Sequence, residues 1–346
     1  MALFLSSCGS NTTENSEETT APLNQEEATN DVGIVTVYSH RHYDVDKKIF
    51  TDFEEKTGIK VMVKEDKASK LIELIAQKGD DADVLITVDV ARLEQAREKG
   101  ILQPIESEVI TGRVPDKFRG SENHWIGLTK RYRVLAYSKE RVDPEELTTY
   151  EDLTDEKWMG KIAVRSSDNT YNQSLMASII ANSNQDEATK WAKGVVSNFC
   201  RSPKGNDRDQ VKEVAAGRAD IAIINTYYLG KLLNSENQAE VDAGNAVGLV
   251  FPNYEDRGAH VNISGAGVCT NAPNKENAVK LIEYLLSDEV QAMYSAANYE
   301  YPVVEGVESS ELLQSWGTFK EDDLPLEEIG KLNSTAIAVF AASGWE

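Results

Sequence analysis

The sequence predicts an α/β protein of two lobes, each a helix-flanked, mostly parallel sheet, with a cleft between them. Three observations carry this. The chain has 346 residues, which suits two lobes of about 150 residues each better than one. From residue 33 strand and helix patterns alternate in β-α-β-α-β-α order. The same rhythm restarts beyond residue 134.

Residues 33–38 (GIVTVY) read as a strand without alternation, hence buried on both faces. The loop SHRHYD leads into a helix in which Ile49, Phe50 and Phe53 share a face and Gly58 supplies the stop. Residues 59–63 alternate as a second strand, and the next helix carries Leu71, Leu74 and Ile75. Residues 83–86 form a third strand and 89–99 a helix ending at Gly100. Such a series builds a parallel sheet covered by helices. In the second unit, 134–137 and 161–165 read as strands, and 172–182 and 186–197 as helices. A helix ends over 211–216 at Gly217, 220–225 is a buried strand, 226–233 a helix, and 247–251 another strand. Residues 260–268 read as extended, with helices over 274–286 and 288–296. Elements after residue 255 are expected to return to the first lobe. The expected division is 32–133 with about 255–305 in the first lobe, and 134–254 with about 306–346 in the second. Strand ends facing across such a cleft bind ligands, in binding proteins and in several enzymes alike.

Composition narrows the function. Hydrophobic residues make up 40% and charged residues 27%, as in ordinary globular proteins. The net charge of −22 argues against nucleic acid, which calls for a basic stripe, and favours cations near the surface. At the start, Leu5-Ser6-Ser7-Cys8 is similar to the lipobox of bacterial lipoproteins, in which the cysteine is lipidated. Residues 9–31 hold six acidic and no basic residues and little to bury, so they read as a disordered tether. The expected layout is anchor, tether, folded body. Beyond residue 31 no apolar run approaches the length of a membrane span. Cys200 and Cys269 lie in no CxxC or Cys/His spacing, which speaks against zinc, and sequence alone does not say whether they pair.

Three segments carry chemistry. Ser39-His40-Arg41-His42-Tyr43-Asp44-Val45 joins the first strand to the first helix. Asn225-Thr226-Tyr227-Tyr228-Leu229 occupies the same kind of junction in the second lobe, where both phenols can face one cleft only at the helix start. The polar loop from Arg165 ends at Tyr171, again at a helix start. Each segment alone is weak evidence; together, three strand-to-helix loops each deliver a phenol. With an unperturbed pKa near 10, a phenol binds a cation well only where the metal displaces its proton. A hard trivalent ion does so, whereas divalent ions favour thiolate, imidazole, carboxylate or water. Tyrosine-rich coordination with one imidazole therefore selects Fe(III) over Zn(II), Mg(II) or Ca(II). Four phenolates on Fe(III) leave one negative charge, for which Arg41, Arg133 and Arg165 are the candidate counter-charges.

The segments VYSHRHYD, KIAVRSSDNTYNQSL, NFCRSPKGNDRDQ, VAAGRADIAIINTYYLGKL, HVNISGAGV and NYEYPVV span most of residues 34–304. In order and spacing the chain resembles the ferric-iron-binding proteins of bacterial, especially cyanobacterial, iron ABC transporters of the Fut type. That resemblance implies a type II-like, transferrin-like periplasmic-binding-protein fold with a hinged cleft. It implies His42, Tyr43, Tyr171, Tyr227 and Tyr228 as iron ligands, and no synergistic anion. Fe3+ is then the transported ligand, with Fe2+ as its reduced form. The implied partner is the ABC permease of an iron importer. Membrane attachment is expected through a lipid on Cys8 only, for a monomer in the periplasm. His40 stands where the family has a small residue and is expected either beside the ligands or exposed. The alternatives are a binder of an organic cation (polyamine or thiamine) or an oxyanion, and a mononuclear iron enzyme. The enzyme is disfavoured because no HExxH, GxSxG or phosphate-loop motif is present.

Overall fold

Two long strands decide how the chain is organised, because each is bonded on both sides into one curved sheet. In the computed structural model residues 33–78 and 81–346 are described; the lipobox-like segment at Cys8 and the tether over 9–31 lie outside them. The first unit runs β1 (Ile34–Ser39), α1 (Asp44–Thr57), β2 (Lys60–Glu65), α2 (Ala68–Lys78), β3 (Val84–Thr87) and α3 (Val90–Glu98). Then come β4 (Leu102–Gln103), α4 (Glu108–Arg113) and the long β5 (Ile126–Ser138). The second unit holds β6 (Ile162–Ala163), α5 (Thr170–Asn182), α6 (Gln185–Ser197), α7 (Asp207–Ala215) and β7 (Ile221–Asn225). It continues with α8 (Thr226–Leu233), α9 (Gln238–Asn245) and β8 (Val247–Val250). The chain closes with β9 (Val261–Cys269), α10 (Lys275–Leu285), α11 (Asp288–Asn298), β10 (Tyr301–Pro302), α12 (Glu311–Gln314), α13 (Leu326–Lys331) and α14 (Asn333–Ser343).

The strand order is β2-β1-β3-β9-β5-β7-β6. The expected parallel pairs are there: β1 lies parallel to β2 and β3, and β6 to β7. The sheet is nevertheless mixed rather than mostly parallel, since every ladder made by β5 or β9 is antiparallel. The reason lies in β5. Its first half pairs with β9 as far as Tyr132, and from Arg133 it pairs with β7, then β8. One strand thus belongs to both halves and must run against its neighbours in each.

Local sequence explains how the helices that matter begin. Asp44 and Asp46 sit in the first turn of α1, where carboxylates meet the positive end of the helix. Asp46 also accepts the Tyr43 amide at 3.3 Å. Gly58 ends that helix at φ 74°. Asn169 caps α5 by accepting the amides of Tyr171 and Asn172. The halves are also stitched by Asp89, fully buried, which caps α3 and accepts from Ser174 of α5 and Asn262 of β9, each at 2.8 Å. At the C-terminus α14 packs on α5 and α6, while α13 lies against both α3 and α5.

Cys200 and Cys269 are free thiols, so the pairing left open in the sequence does not occur. Cys269 ends β9 opposite Leu102, while Cys200 bonds through its amide to Ile162. Burial pushes the Cys269 thiol up to about 12, which keeps it protonated and unreactive. Adding dithiothreitol to the folded protein is therefore expected to leave its melting temperature unchanged by calorimetry; a fall of several degrees would reveal a bridge.

Candidate metal centre

Four phenols meet where three strand-to-helix junctions face one another. Tyr43 stands at the head of α1, Tyr171 is the second residue of α5, and Tyr227 and Tyr228 are the second and third of α8. The Tyr227 hydroxyl donates to the Tyr171 oxygen at 3.2 Å. The Tyr227 and Tyr228 rings stack at 4.3 Å between centroids, and Tyr43 meets Tyr227 edge-on at 6.5 Å. His42 lies beside Tyr43, ring to ring at 5.4 Å. Tyr227 is buried, Tyr43, Tyr171 and Tyr228 are half-buried, and His42 is exposed. All five residues singled out from sequence are therefore brought together, with His42 at the rim. A cavity of about 690 Å³ opens beside them, bounded by His42, Tyr43, Lys231, Met293 and Asn298 among others. Among the described residues no three His, Cys, Asp or Glu side chains converge on a point that would hold a metal. The donors on offer are the phenols and one imidazole.

The profile of bacterial extracellular solute-binding proteins matches residues 80–320. This chain belongs to that family. Among its relatives is a Synechocystis protein named iron uptake protein A1, 45% identical over 99% of this chain and 93% of the relative. A solved structure of Trichodesmium IdiA (FutA) in complex with iron and citrate ligands is 49% identical, with a TM-score of 0.88 over 91% of this chain and 100% of that one. A ferric binding protein from Campylobacter jejuni has a TM-score of 0.86 at 41% identity, over 90% of this chain and 100% of that one. The two-lobed fold expected from sequence is thus the fold of this solute-binding protein.

Three of its phenols, Tyr43, Tyr171 and Tyr227, are set to hold their protons when no cation is present. Burial first, then the neighbouring Tyr171 oxygen, raises Tyr43 well above the ordinary phenol range, against a smaller opposing pull from Arg41. Burial, then Tyr228, pushes Tyr171 up to about 12. Burial, followed by Tyr171 and Tyr43, raises Tyr227 well above its ordinary value. Desolvation disfavours the anion in each case, and the clustered phenols reinforce it.

The cations of the binding protein divide differently from the expectation. Arg165 does reach the phenols, with Nη1 3.5 Å from the Tyr228 hydroxyl and 3.4 Å from Asp207. Arg133 does not serve as a free counter-charge: it is buried on Asp207 at 2.7 Å, Asn172 at 2.6 Å and Asn225 at 3.3 Å. Arg41 is likewise committed, to Asp46 and, through two nitrogens, to Glu300. Two cations went unnoticed in the sequence. The Arg131 guanidinium lies 5.3 Å from the Tyr171 ring centre and bonds the Val88 carbonyl. Lys231 sits over the Tyr43 ring at 4.0 Å, and burial lowers its amine to about 8. Lys231 follows Tyr227 by one helical turn, a spacing that places them on one face; Arg131 carried no such signal. His40 is half-buried in the loop that leads to Tyr43, and burial, then His42, lowers it to about 4.

Arg41 explains how Tyr43 is aimed. Its guanidinium lies between the Tyr43 and Tyr294 rings, 5.0 and 4.9 Å from their centres. Glu300 grips it bidentately, a geometry that fixes orientation as well as distance. The same carboxylate accepts from Thr129 of β5 at 2.9 Å, Ser264 of β9 at 3.2 Å and Asn298 at 2.6 Å. Burial would raise it, yet Arg41 first, then Asn298 and Arg131, hold it down to about 2. Because the folded value lies below the unfolded one, the stabilisation is present above pH 4.5 and is lost as pH falls through 2. Asp46, raised by burial, works in the opposite sense. Glu300→Gln is expected to cost about 3 kcal/mol at neutral pH and to flatten the acid limb of the stability profile between pH 4.5 and 2. Urea unfolding across that range checks it; a variant that follows the wild-type curve would contradict the assignment.

Proposed function

We propose that this chain is the solute-binding component of an iron ABC importer, clamping one Fe(III) with Tyr43, Tyr171, Tyr227 and Tyr228 and handing it to a permease. The convergence of four phenols from three loops carries this proposal. The names of the relatives, iron uptake and ferric binding proteins, agree with it. As a member of a solute-binding family the chain is a carrier and not an enzyme. The family supports a place outside the cytoplasm; attachment there through a lipid on Cys8, and action as a monomer, are part of the proposal. The 3.2 Å between the Tyr171 and Tyr227 oxygens suits two donors that converge on one small ion.

The mechanism follows from charge. A trivalent ion displaces the protons that burial keeps on the phenols, a step that weaker Lewis acids do not drive. Four phenolates on Fe(III) leave one negative charge. Arg165 at Tyr228 and Arg131 at Tyr171 stand where they offset it, each desolvated enough for the attraction to be strong. Tyr171, Tyr227 and Tyr228 come from the half built on β6, β7 and β8, and Tyr43 with His42 from the half built on β1 to β3. Iron therefore lands on the three tyrosines first, and hinge closure adds Tyr43 and the exposed His42. The supporting division puts 32–133 and about 255–305 in one lobe and 134–254 and about 306–346 in the other. It agrees with the switch of β5 at Tyr132–Arg133 and with α14 on α5 and α6, while α13 touches both sides.

Ferric citrate added to the metal-free protein is expected to produce the visible absorption of phenolate bound to iron. Protons compete with the metal for every ligand, so the band should fade as pH is lowered, and dithionite should bleach it. Tyr227→Phe is expected to weaken binding by more than about a hundredfold, beyond the usual effect of losing an outer partner. A protein that stays colourless with ferric citrate would overturn the proposal.

A further inference from the structure

Helix α8, which carries Tyr227 and Tyr228, has a glycine in its interior. Glycine there weakens a helix unless a neighbour needs the space a side chain would fill. Gly230 is such a case. A Cβ on it would lie 2.6 Å from Cβ and 2.8 Å from Cδ2 of Tyr299, with Cγ nearer still. These atoms are at the root of the side chain, where a change of rotamer gives little relief. Tyr299 is itself unusual, a bulky residue in the left-handed region at φ 57°, ψ 36°, closing α11. Its neighbours hold it there. Asn298 donates to Glu300, Glu300 grips Arg41 beneath the Tyr43 ring, and Tyr301 pairs with Lys130 of β5.

The contact spans the cleft. Gly230 belongs to the helix after β7, and Tyr299 lies two residues before the start of β10, which pairs with the first half of β5. We propose that the Tyr299 ring seated on Gly230 is the closure stop of the clamp. It sets how near the Tyr43 loop comes to the Tyr227–Tyr228 helix. A continuous chain of contacts, Tyr43 to Arg41 to Glu300 to Tyr299 to Gly230, fixes that distance from one side of the site to the other. Tyr299 and Gly230 are positioning residues, since neither is among the phenols and imidazole assigned to the metal. The proposal rests on the ferric-clamp function put forward above.

The test is a double-mutant cycle on the full chain. In Gly230→Ala the new methyl holds the lobes apart. Its ferric affinity is expected to fall by about tenfold or more, the scale of overpacking a tight contact, with a weaker or shifted phenolate-to-iron band. Its metal-free melting temperature should be equal or higher, because alanine is the better helix former. Tyr299→Gly removes the ring together with the Cβ that lies 2.6 Å away, and glycine takes the left-handed backbone at φ 57° without strain, so adding Gly230→Ala to it should change affinity no further. Unchanged ferric affinity in Gly230→Ala would overturn the closure stop. So would a lower metal-free melting temperature, or a penalty that persists in the Tyr299→Gly background. Failure of the wild-type chain to take up ferric iron at all would instead overturn the function on which the proposal rests.

Discussion

Glu300 is the point at which the Tyr43 loop, the two crossing strands and the end of α11 are tied together. A carboxylate buried among apolar side chains loses most of its hydration, a loss repaid only if every lone pair finds a donor. Here the donors come from Arg41 on the Tyr43 loop, Thr129 on β5, Ser264 on β9 and Asn298 at the helix end. Removing any one of these elements would leave a buried charge short of partners. The position of Tyr43 is therefore not a property of its own loop. It is inherited from strands that also carry the other half of the molecule.

Much of this was legible in the sequence, and the illegible part has a common cause. The β1–α1–β2–α2–β3 series declared itself through short-range patterns, and so did the tyrosines at helix starts, because a strand-to-helix junction is local. The first half of β5 did not. Its run Thr129-Lys130-Arg131-Tyr132-Arg133 looks like a surface loop, yet Arg131 and Arg133 are 1% exposed. Two residues apart on a strand, they point to one face, and that face is the floor beneath the phenols. Buried arginines are rare enough that composition misleads. The roles first given to Arg41 and Arg133 failed for a related reason. Two of their carboxylate partners, Glu300 and Asp207, stand 259 and 74 residues away in the chain, beyond the reach of any local pattern; only Asp46, five residues from Arg41, lay within it. Lys231, one turn beyond Tyr227, was within reach of helical spacing and was overlooked.

The interior runs against the overall charge. The chain carries −22, yet Arg131, Arg165 and Lys231 gather beside the phenols, with Arg133 buried below them; Asp207 serves Arg133 and Arg165, while Asp89 and Glu300 face Arg131. His260 lies fully buried close to Arg131 and Arg133, and burial followed by those two charges depresses it to about 3. An acidic exterior gathers cations of every kind, while a floor in which buried carboxylates nearly balance the buried cations leaves the choice among them to the phenols.

Phenols that keep their protons have one more consequence. Unlike a cluster of carboxylates, which is anionic whether or not it is occupied, the raised phenols Tyr43, Tyr171 and Tyr227 stay uncharged until a metal reaches the proposed site. Abundant divalent ions meet no negative well to fall into, and an ion must first be acidic enough to evict a proton before any geometry is tested. Discrimination becomes a threshold in Lewis acidity, set by how deeply the tyrosines are buried rather than by the size of the hole between them.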